Sequence, residues 1–392
     1  MTFLPPMPDY HRGENSIKWN LYPPDVLPLW VADTDFLSPK VVQEAIQRRA
    51  QHQSYGYQRD SSQLLEAIAS RMREKHHIPA EPAHVILTSN LVSALGACTH
   101  IAGDAGTGIL VTTPIYPPFL SAIKLHKQVQ VNAPMVSSLA NGILRYEMDF
   151  DAIEAAITPQ TRMWLFCNPH NPVGRSFTRA ELERVAEIVL KHDLIIVADE
   201  IHADLRYNGT VFTSIASLSP EIAAHTITLN SPSKAFNIPG LGLGYAVITD
   251  EALRRRFQEM AWNTGLGANN FSIVGAYSAY TEGQPYLDEV LPYLQENRDL
   301  ISDYLSEHLP EIAYTMPEAT YLIWLDCRAL NLPEAPYSFF LNKARVALND
   351  GAQFGEGGEG FVRLNYGCTR ETLLAALDRM RDAIRAEQTP AA

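Results

Sequence analysis

The sequence predicts an α/β protein in which a large domain, built on a mostly parallel sheet flanked by helices, is joined to a smaller α+β domain. From about residue 83 to about residue 249, short β-branched apolar runs alternate with longer helical patterns, which is typical of parallel strands joined by crossover helices. Beyond about residue 284 the pattern changes to long helices and two strand-like runs, 321–325 and 361–364. A chain of 392 residues is also longer than one core usually supports, which favours two domains.

The N-terminal region differs from the rest of the chain because it is rich in proline and is predicted to be largely extended. We expect residues 1–48 to form an arm and part of the small domain, residues 49–283 to form the large domain, and residues 284–392 to form the small α+β domain. The last residues, 386–392, are expected to fray. The prolines of the arm include Pro5, Pro6, Pro8, Pro23, Pro24 and Pro28.

Six runs are predicted as the strands of the large sheet, and one crossover helix has a clear start signal. Thr178 and Glu181 have the spacing of a capping box, and the apolar residues that follow recur on one helical face. This pattern indicates a helix that packs on the sheet. The predicted strands are Val85–Thr88, Ile109–Thr112, Met163–Cys167, Leu194–Ala198, Thr226–Leu229 and Tyr245–Thr249.

The composition excludes several classes of function. With 46% hydrophobic and 19% charged residues the chain is typical of a globular protein, and its net charge of −13 disfavours binding to nucleic acid or to anionic membranes. The basic triplet Arg254–Arg256 is predicted to be a solvated helix face. No apolar run is long enough to span a membrane, and the first residues lack the pattern of a signal peptide, so we expect a cytoplasmic location. The four cysteines show neither disulfide nor metal-ligand spacing, and no metal site is expected.

A lysine follows the fifth predicted strand, in the segment 229–241 with the sequence LNSPSKAFNIPGL. Lys234 would lie at the carboxyl edge of an open α/β sheet, where ligands bind. A lysine amine condenses with carbonyl cofactors, and burial beside another cation makes it nucleophilic. The hydroxyls of Ser231 and Ser233, with nearby backbone N–H groups, suit a phosphate. Taken alone, a lysine in such a turn is more often a surface residue.

Two further polar segments follow neighbouring strands. In residues 195–202, IIVADEIH, an apolar strand ends at Asp199. A buried aspartate beside a pyridine nitrogen keeps that nitrogen protonated, although Asp199 could equally cap the next turn. In residues 167–174, CNPHNPVG, two Asn-Pro steps fix an irregular loop from which the Asn171 amide could donate to a phenolate oxygen.

Asn171, Asp199 and Lys234 thus follow three successive strands, and in this context the chain resembles the fold-type-I pyridoxal-phosphate enzymes, the class I/II aminotransferase-like superfamily. That superfamily has N-P-x-G, a strand-terminal Asp and S-x-S-K at these places. Within it the chain resembles the cystathionine β-lyase-like C–S lyase branch over nearly its whole length. The segments that carry the second resemblance are 18–20 KWN, 27–36 LPLWVADTDF, 199–202 DEIH, 233–238 SKAFNI, 317–326 PEATYLIWLD and 362–365 VRLN.

The resemblance implies a seven-stranded sheet, pyridoxal 5′-phosphate as the cofactor and Lys234 as its Schiff-base residue. It implies that Tyr116 stacks on the ring as a catalytic residue beside Lys234 and Asp199, although a tyrosine there is otherwise more often in the core. It further implies that Arg363 grips the substrate α-carboxylate and that Tyr57 reaches into the site of a partner subunit, so that a homodimer shares its active sites. The other implied cofactor or substrate contacts are Ala32, Asn90, Asn171, His202, Ser231, Ser233 and the backbone amides of Leu91 and Val92.

Two positions depart from the common pattern of the superfamily. His202 stands where many aminotransferases have a tyrosine, as in the β-lyase branch, and either contacts the cofactor oxygen or supports Asp199. Gly242 replaces the usual phosphate-binding arginine, so the phosphate is left to serine hydroxyls, Lys234 and backbone amides. Asn90 stands where glycine is common.

The resemblance therefore implies a C–S β-lyase that eliminates a thiol from L-cystathionine or a related cysteine derivative and yields pyruvate and ammonia. An aminotransferase of aromatic or related amino acids remains an alternative, because only a few kcal/mol in barrier height separate the two outcomes. A second alternative is a regulatory protein that binds a protein partner and keeps a cofactor site as a relic. The intact set of Lys234, Asp199, Asn171 and Arg363 argues against a relic.

Overall fold

The computed structural model describes residues 3–5, 10–57 and 61–388, and their strands form two large sheets and one short pair. The predicted fold, a large mostly parallel sheet with flanking helices beside a smaller α+β unit, is confirmed. The strands, in chain order, are β1 Leu27–Pro28, β2 Val85–Thr88, β3 Gly108–Val111, β4 Val129–Asn132, β5 Val136–Ala140, β6 Ile143–Glu147, β7 Thr161–Cys167, β8 Ile195–Asp199, β9 Thr226–Asn230, β10 Gly244–Val247, β11 Ala313–Thr315, β12 Leu322–Asp326, β13 Val346–Ala347, β14 Asn349–Asp350 and β15 Phe361–Asn365.

Helices cover both faces of the larger sheet and fill the space beside the smaller one. The longest is a 25-residue helix that leads into the C-terminal part of the chain. The α-helices, in chain order, are α1 Ile17–Asn20, α2 Lys40–Gln51, α3 Ser62–His76, α4 Leu91–Ala102, α5 Pro117–Leu125, α6 Phe150–Ala156, α7 Arg179–Lys191, α8 Pro220–Ala224, α9 Glu251–Asn263, α10 Asn270–Glu282, α11 Gln284–His308, α12 Pro336–Phe339 and α13 Arg370–Gln388.

The seven-stranded sheet has the order β2-β10-β9-β8-β7-β3-β4, and only β10 runs against its neighbours. All six predicted strands are present. The alternating side chains of β7 show why it is buried on both faces: Met163 and Leu165 enter the core on one side of the sheet, and Trp164 and Phe166 enter the core on the other. The sequence analysis missed the edge strand β4, whose first two residues are exposed and give no apolar run.

The carboxyl ends of β7, β8 and β9 meet at one edge of this sheet. Cys167, the last residue of β7, pairs with Asp199 at the end of β8, and Asp199 pairs with Leu229 of β9. The loops that carry Asn171 and Lys234 leave the sheet directly beyond these pairs. The parallel topology thus brings together three segments that lie far apart in the sequence.

The predicted capping box opens α7, the crossover helix between β7 and β8. The Thr178 hydroxyl accepts a hydrogen bond from the Glu181 N–H, and the Glu181 carboxylate accepts one from the Thr178 N–H. Leu182, Val185 and Val189 of the predicted apolar face are buried against the sheet. This packing of α7 on the sheet stabilises the pairing of β7 with β8, in addition to the hydrogen bonds between the two strands.

The six-stranded sheet, with the order β14-β15-β12-β11-β6-β5, contains a hairpin that the sequence analysis did not anticipate. β5 and β6 come from residues 136–147, within the range assigned to the large domain, yet β6 pairs in parallel with β11 of the C-terminal region. The residues of β5 are exposed throughout, so its sequence carries no core signal. The division of the chain into domains remains a prediction.

The expectation that the proline-rich N-terminal region is largely extended was wrong for its last part. α2 begins after Pro39, and its apolar residues, among them Val42 and Ala45, recur on one face and pack against α10. Proline is well tolerated at a helix start, so it does not argue against the helix that follows. Within the described ranges, no helix is long and apolar enough to cross a membrane.

Candidate active site

A pocket opens at the sheet edge where β7, β8 and β9 end. It is bounded by the N-terminus of α4, by the loop after β9 and by Ala32 from the N-terminal region. The structure therefore brings together almost every residue that the sequence analysis predicted for the site. The lining comprises the predicted Ala32, Asn90, Leu91, Val92, Tyr116, Asn171, Asp199, His202, Ser231, Ser233 and Lys234, together with Leu95, Cys167, Ile201, Pro239, Gly242 and Leu243, which were not predicted.

Lys234 projects into this pocket, and its Nζ donates a hydrogen bond of 2.6 Å to the Ala32 carbonyl. Burial lowers the pKa of Lys234 to about 8, with a further decrease from Arg363, while Asp33 and Asp199 act in the opposite direction. A lysine with a pKa near 8 has an appreciable neutral fraction at neutral pH. Its amine is therefore suited to condense with a carbonyl and to accept a proton.

Asp199 is buried at the end of β8, and one of its oxygens accepts a hydrogen bond of 3.1 Å from the Ile201 N–H. Burial raises the pKa of Asp199 to about 6, against lowering contributions from the Ile201 hydrogen bond and from Lys234. Its neighbour Glu200 accepts from the Ser214 hydroxyl at 2.6 Å, and burial raises the pKa of Glu200 to about 8. The raised pKa favours the protonated form of Glu200, which reduces the like charge beside Asp199.

Arg363 lies on β15 of the smaller sheet and reaches the pocket through Asn171. Its Nη1 donates to the Asn171 Oδ1 at 3.0 Å, and its Nη2 donates to the Trp30 carbonyl at 3.2 Å and to the Asn349 Oδ1 at 2.5 Å. The side chain is buried, and its Nε has no hydrogen-bond partner in the described part of the chain. None of its contacts is a carboxylate. Arg363 is thus a buried cation whose counter-ion the described residues do not supply.

The N-terminus of α4 forms the opposite end of the pocket. The Asn90 side chain caps Ser93, which leaves the Leu91 and Val92 N–H groups without a partner inside the helix. Glycines let this terminus come close to the loop after β9: a Cβ on Gly244 would lie 2.5 Å from a Leu91 methyl carbon. Gly242, the position at which the resemblance led us to expect a phosphate-binding arginine, has a left-handed backbone with φ of 67°. A helix N-terminus with free N–H groups is suited to bind a phosphate.

The two predicted phosphate-binding serines differ in their present contacts. The Ser231 hydroxyl donates to the Leu243 carbonyl at 2.6 Å and accepts from the Ser233 N–H at 3.0 Å. Its only proton is therefore used, and Ser231 donates to a phosphate only if the hydroxyl rotates. Phosphate binding by Ser231 and Ser233 stays a prediction.

His202 and Tyr116 line the pocket as neutral groups. Burial lowers the pKa of His202 to about 3, with Lys234 and Arg363 adding to the decrease. Its Nδ1 is buried and has no hydrogen-bond partner among the described residues. Burial raises the pKa of Tyr116 above its ordinary value, so its phenol stays protonated at neutral pH. Both residues can therefore offer hydrogen bonds without adding charge.

Tyr57 does not line the pocket of its own subunit. Its side chain is fully exposed, whereas the nearby Tyr55 packs against Phe271 with ring centroids 5.7 Å apart. Two larger grooves, of about 680 and 860 Å³, run along α3 and α10 and contain none of the predicted site residues. The role predicted for Tyr57, in a partner's site, is compatible with its exposure and stays a prediction.

The structure adds three residues that sequence reasoning did not assign to the site. The Tyr321 hydroxyl donates to the Ala32 carbonyl at 2.8 Å, alongside the Lys234 amine. Asn237 and Asn365 donate to backbone carbonyls of residues 31–36, next to Ala32. All three lie in segments that carried the family resemblance, but their function as donors to a distant backbone has no sequence pattern of its own.

Comparison with known proteins agrees with this architecture. The family model for aminotransferase class I and II matches residues 24–380. The chain belongs to this family. The curated cystathionine beta-lyase PatB of Bacillus subtilis is 34% identical over 380 residues, which cover 95% of this chain and 97% of PatB. The resemblance to the class I/II superfamily and to its β-lyase branch is thereby confirmed.

Two solved structures that contain pyridoxal 5′-phosphate share the fold. Cystalysin from Treponema denticola, which contains pyridoxal 5′-phosphate, has a TM-score of 0.92 and 29% identity, with 98% of each chain covered. The pyridoxal-phosphate-bound C–S lyase from Staphylococcus hominis has a TM-score of 0.89 and 30% identity, covering 96% of this chain and 98% of that one.

The residues of the pocket fit pyridoxal phosphate by their own chemistry. A buried carboxylate, Asp199, is available for a ring nitrogen, a lysine with a lowered pKa is available for the aldehyde, and free N–H groups at the α4 terminus are available for the phosphate. A Cβ at Gly244 would also lie 3.2 Å from the Asn90 carbonyl carbon, so a larger residue there would press against the backbone at the start of α4. Arg363 lies beside this pocket without a counter-ion among the described residues, and the carboxylate of an amino acid would supply one.

Proposed function

We propose that this protein is a pyridoxal-phosphate-dependent C–S β-lyase that eliminates a thiol from L-cystathionine or a related cysteine derivative and releases pyruvate and ammonia. The observation that carries the proposal is the buried Arg363, without a carboxylate partner among the described residues, beside a pocket that holds Lys234 and Asp199. The names of the relatives, cystathionine beta-lyase and C–S lyase, support the same reaction.

Arg363 and Asn171 hold the substrate in this proposal. The guanidinium binds the α-carboxylate through two N–H groups, a geometry that arginine provides and lysine does not. The Asn171 side chain already contacts Arg363, so it fixes the guanidinium plane from the pocket side. A carboxylate bound there gives Arg363 the counter-ion that it lacks, which offsets the cost of burying the cation.

When bound, pyridoxal phosphate supplies a protonated ring that accepts the electrons released at the substrate α-carbon. Asp199 holds the proton on the ring nitrogen, because a neighbouring cation keeps a buried carboxylate ionised. Lys234 would hold the cofactor aldehyde, and its amine, when free, would take the α-proton of the bound substrate, because a pKa of about 8 leaves an appreciable neutral fraction. The sulfur then leaves the β-carbon as a thiolate, and the neutral side chains of Tyr116 and His202 add no charge that would oppose its departure.

The proposed reaction is tested by mixing the purified protein and pyridoxal phosphate with L-cystathionine in the absence of any keto acid. We expect equal amounts of pyruvate and thiol to appear, because elimination needs no amino acceptor. The Lys234→Ala variant, which keeps the pocket but lacks the amine, is the control and should release neither. Amino transfer that appears only when a keto acid is added, with no pyruvate from cystathionine, would make the protein an aminotransferase instead.

We also propose that the protein forms a homodimer in which Tyr57 completes the partner's site. The full exposure of Tyr57, a large aromatic side chain, supports a second copy that covers it. Mixing and refolding Tyr57→Ala with Lys234→Ala tests the idea, since a mixed dimer contains one site with both native residues. We expect the mixture to be more active than either variant alone. Activity that stays at the sum of the separate variants contradicts a shared site.

We further propose a cytoplasmic location. The four cysteines are buried and unpaired, which suits a reducing compartment, because secreted proteins commonly pair their cysteines. Fractionation of cells that make the tagged protein tests this location, and recovery mainly outside the cytoplasmic fraction would contradict it.

A further inference from the structure

Residues 30–36 form an irregular wall beside the active site, and we call them the 30–36 segment. They lie outside any helix or strand. The segment touches both ends of the site: Arg363 donates to the Trp30 carbonyl at 3.2 Å, and Lys234 donates to the Ala32 carbonyl at 2.6 Å. Its position therefore affects the orientation of both the guanidinium and the lysine amine.

Asn365 holds this segment from the side of Arg363. Its Nδ2 donates to the Val31 carbonyl and, at 2.6 Å, to the Asp33 carbonyl, while its Oδ1 accepts from the Gly367 N–H at 2.8 Å. The side chain is buried. Residues two apart on a strand point to the same face, so β15 presents Asn365 and Arg363 side by side to the segment.

Asn237 holds the other end of the segment from the side of Lys234, three residues before it in the chain. Its Nδ2 donates to the Thr34 carbonyl at 3.0 Å and to the Phe36 carbonyl at 2.6 Å, and its Oδ1 accepts from the Thr34 N–H at 3.1 Å. Its backbone has φ of 50°, in the left-handed region that asparagine tolerates better than most residues. One residue thus ties the lysine loop to the segment that accepts the lysine's hydrogen bond.

These contacts replace the regular hydrogen bonds that the segment lacks. A buried backbone carbonyl without a partner is costly, so each asparagine amide stabilises one position of the segment over others. Lys18 is a third side chain that anchors the segment, because its buried Nζ donates a hydrogen bond of 3.1 Å to the Asp33 carbonyl. A catalytic geometry that is loose by about 1 Å can cost on the order of 100-fold in rate, so a wall held this way matters for function.

We propose that Asn237 and Asn365 are positioning residues that lock the 30–36 segment and thereby set the places of Arg363 and Lys234. The inference rests on the proposed function, since it takes Arg363 as the carboxylate site and Lys234 as the cofactor lysine. Neither asparagine touches the substrate in this account. Each acts through backbone carbonyls of the segment.

Three variants test the proposal. Asn365→Leu keeps the size of the side chain but removes its amide, and Asn237→Gly removes the amide while keeping a residue that tolerates a positive φ. Gln128→Met is the matched control: the buried Gln128 amide donates to the Thr99 carbonyl and, at 3.1 Å, to the Gly103 carbonyl, so it also binds two backbone carbonyls, but at the end of α4 that lies away from the pocket and the segment. All three should lower the thermal midpoint of the apoprotein.

Only the first two variants should change the site. We expect KM for L-cystathionine to rise on the order of tenfold in Asn365→Leu and Asn237→Gly, with a smaller change in kcat, because loss of one buried hydrogen bond has about this effect. We also expect faster hydrogen exchange in residues 30–36 of the apoprotein and a shifted absorption band of the bound cofactor. Gln128→Met should show none of these changes.

The proposal is overturned if Asn365→Leu and Asn237→Gly match Gln128→Met in KM and in exchange of residues 30–36. If Asn365→Leu does not fold, Asn237→Gly decides the question alone. Failure of the proposed function looks different. In that case the wild-type protein releases no pyruvate from cystathionine, while the exchange of residues 30–36 in the apoprotein still reports whether the asparagines lock the segment.

Discussion

The region at the start of α7 and the region around β15 each bury an arginine, but only the first supplies a carboxylate. Arg175 donates to both oxygens of Glu181, at 2.7 and 2.9 Å. Among the described residues, Arg363 has only amide and backbone oxygens as acceptors, and burial lowers the pKa of Arg363 to about 10. Leaving a buried cation unpaired is costly. The difference indicates that the counter-ion of Arg363 arrives with a ligand.

Two lysines repeat this contrast. Lys18 is buried with Asp35 at 3.0 Å and Asp33 at 3.7 Å. Burial alone would lower the pKa of Lys18, but these carboxylates raise it above its ordinary value, whereas the pKa of Lys234 is lowered. The paired lysine is a structural cation, and the lysine in the pocket is a reactive amine. Charges that are compensated within the chain thus stabilise the fold, and uncompensated ones mark the site.

The largest expected effect comes from replacing two buried aspartates, one in the pocket and one in an ion pair. Asp199 makes no ion pair with the described residues, whereas Asp204 pairs with Arg71 at 2.7 Å. We expect Asp199→Ala to lower kcat/KM for cystathionine by roughly 100- to 1000-fold, as for loss of one preorganised electrostatic group, with little loss of apoprotein stability. Asp204→Ala should do the reverse and lower the free energy of unfolding by about 3–5 kcal/mol, because it leaves Arg71 buried and unpaired.

Steady-state kinetics of the holoenzymes and denaturant unfolding of the apoproteins separate the two aspartate variants. Equal losses of stability in both would mean that Asp199 is a structural carboxylate like Asp204. The role proposed for Asp199 at the ring nitrogen would then be wrong.

A smaller effect is expected from the two arginines. Arg363→Lys keeps the charge but loses the paired N–H groups, so we expect KM for cystathionine to rise roughly 10- to 100-fold, the effect of losing one hydrogen bond to a charged group. Arg175→Lys, which removes the pair of hydrogen bonds to Glu181, should instead lower the free energy of unfolding by about 1–3 kcal/mol with KM unchanged. An equal rise in KM in both variants would mean that replacing any buried arginine weakens substrate binding. The carboxylate-binding role proposed for Arg363 would then be wrong.

The sequence revealed the cofactor half of the site more fully than the substrate half. Asn171, Asp199 and Lys234 could be placed together because parallel strands end at one edge, and each polar segment directly followed an apolar strand. Arg363 lies on a different sheet, and only the family resemblance pointed to it. No periodic pattern reports that β15 and the loop after β7 meet, because their contact is made in three dimensions across 192 residues.

The features that the sequence analysis missed share a physical cause. β5 is exposed throughout, and β6 pairs with β11, which lies more than 160 residues later in the chain, so local sequence cannot predict which sheet this hairpin joins. Asn237 and Asn365 bind backbone carbonyls some 200 and 330 residues away, and a carbonyl is present at every residue. Their partners therefore leave no trace in the side-chain sequence, whereas the capping box of Thr178 and Glu181 was predictable because it is local.

The smallest effect is the pH dependence that separates the two lysines. Formation of the cofactor link needs a neutral amine, and the pKa of Lys234 is lowered to about 8 by burial and by Arg363. The rate at which the apoprotein captures pyridoxal phosphate should therefore fall about tenfold for each pH unit below 8 and level off above it. Stopped-flow absorbance across this range measures the midpoint. A midpoint near 10.5, the ordinary value, would mean that Lys234 is no more reactive than a surface lysine.

The charged neighbours of Lys234 also predict the direction in which its pKa changes when one of them is replaced. Asp33 is the largest opposing influence, since its negative charge raises the pKa of Lys234. Asp33→Asn removes that charge, destabilises the ammonium form and should move the midpoint for cofactor capture to lower pH. Asp25→Asn, at an exposed pair with Arg345 far along the chain, is the control and should leave the midpoint in place. A shift to higher pH in Asp33→Asn would contradict the electrostatic account, because losing a carboxylate cannot favour the protonated amine.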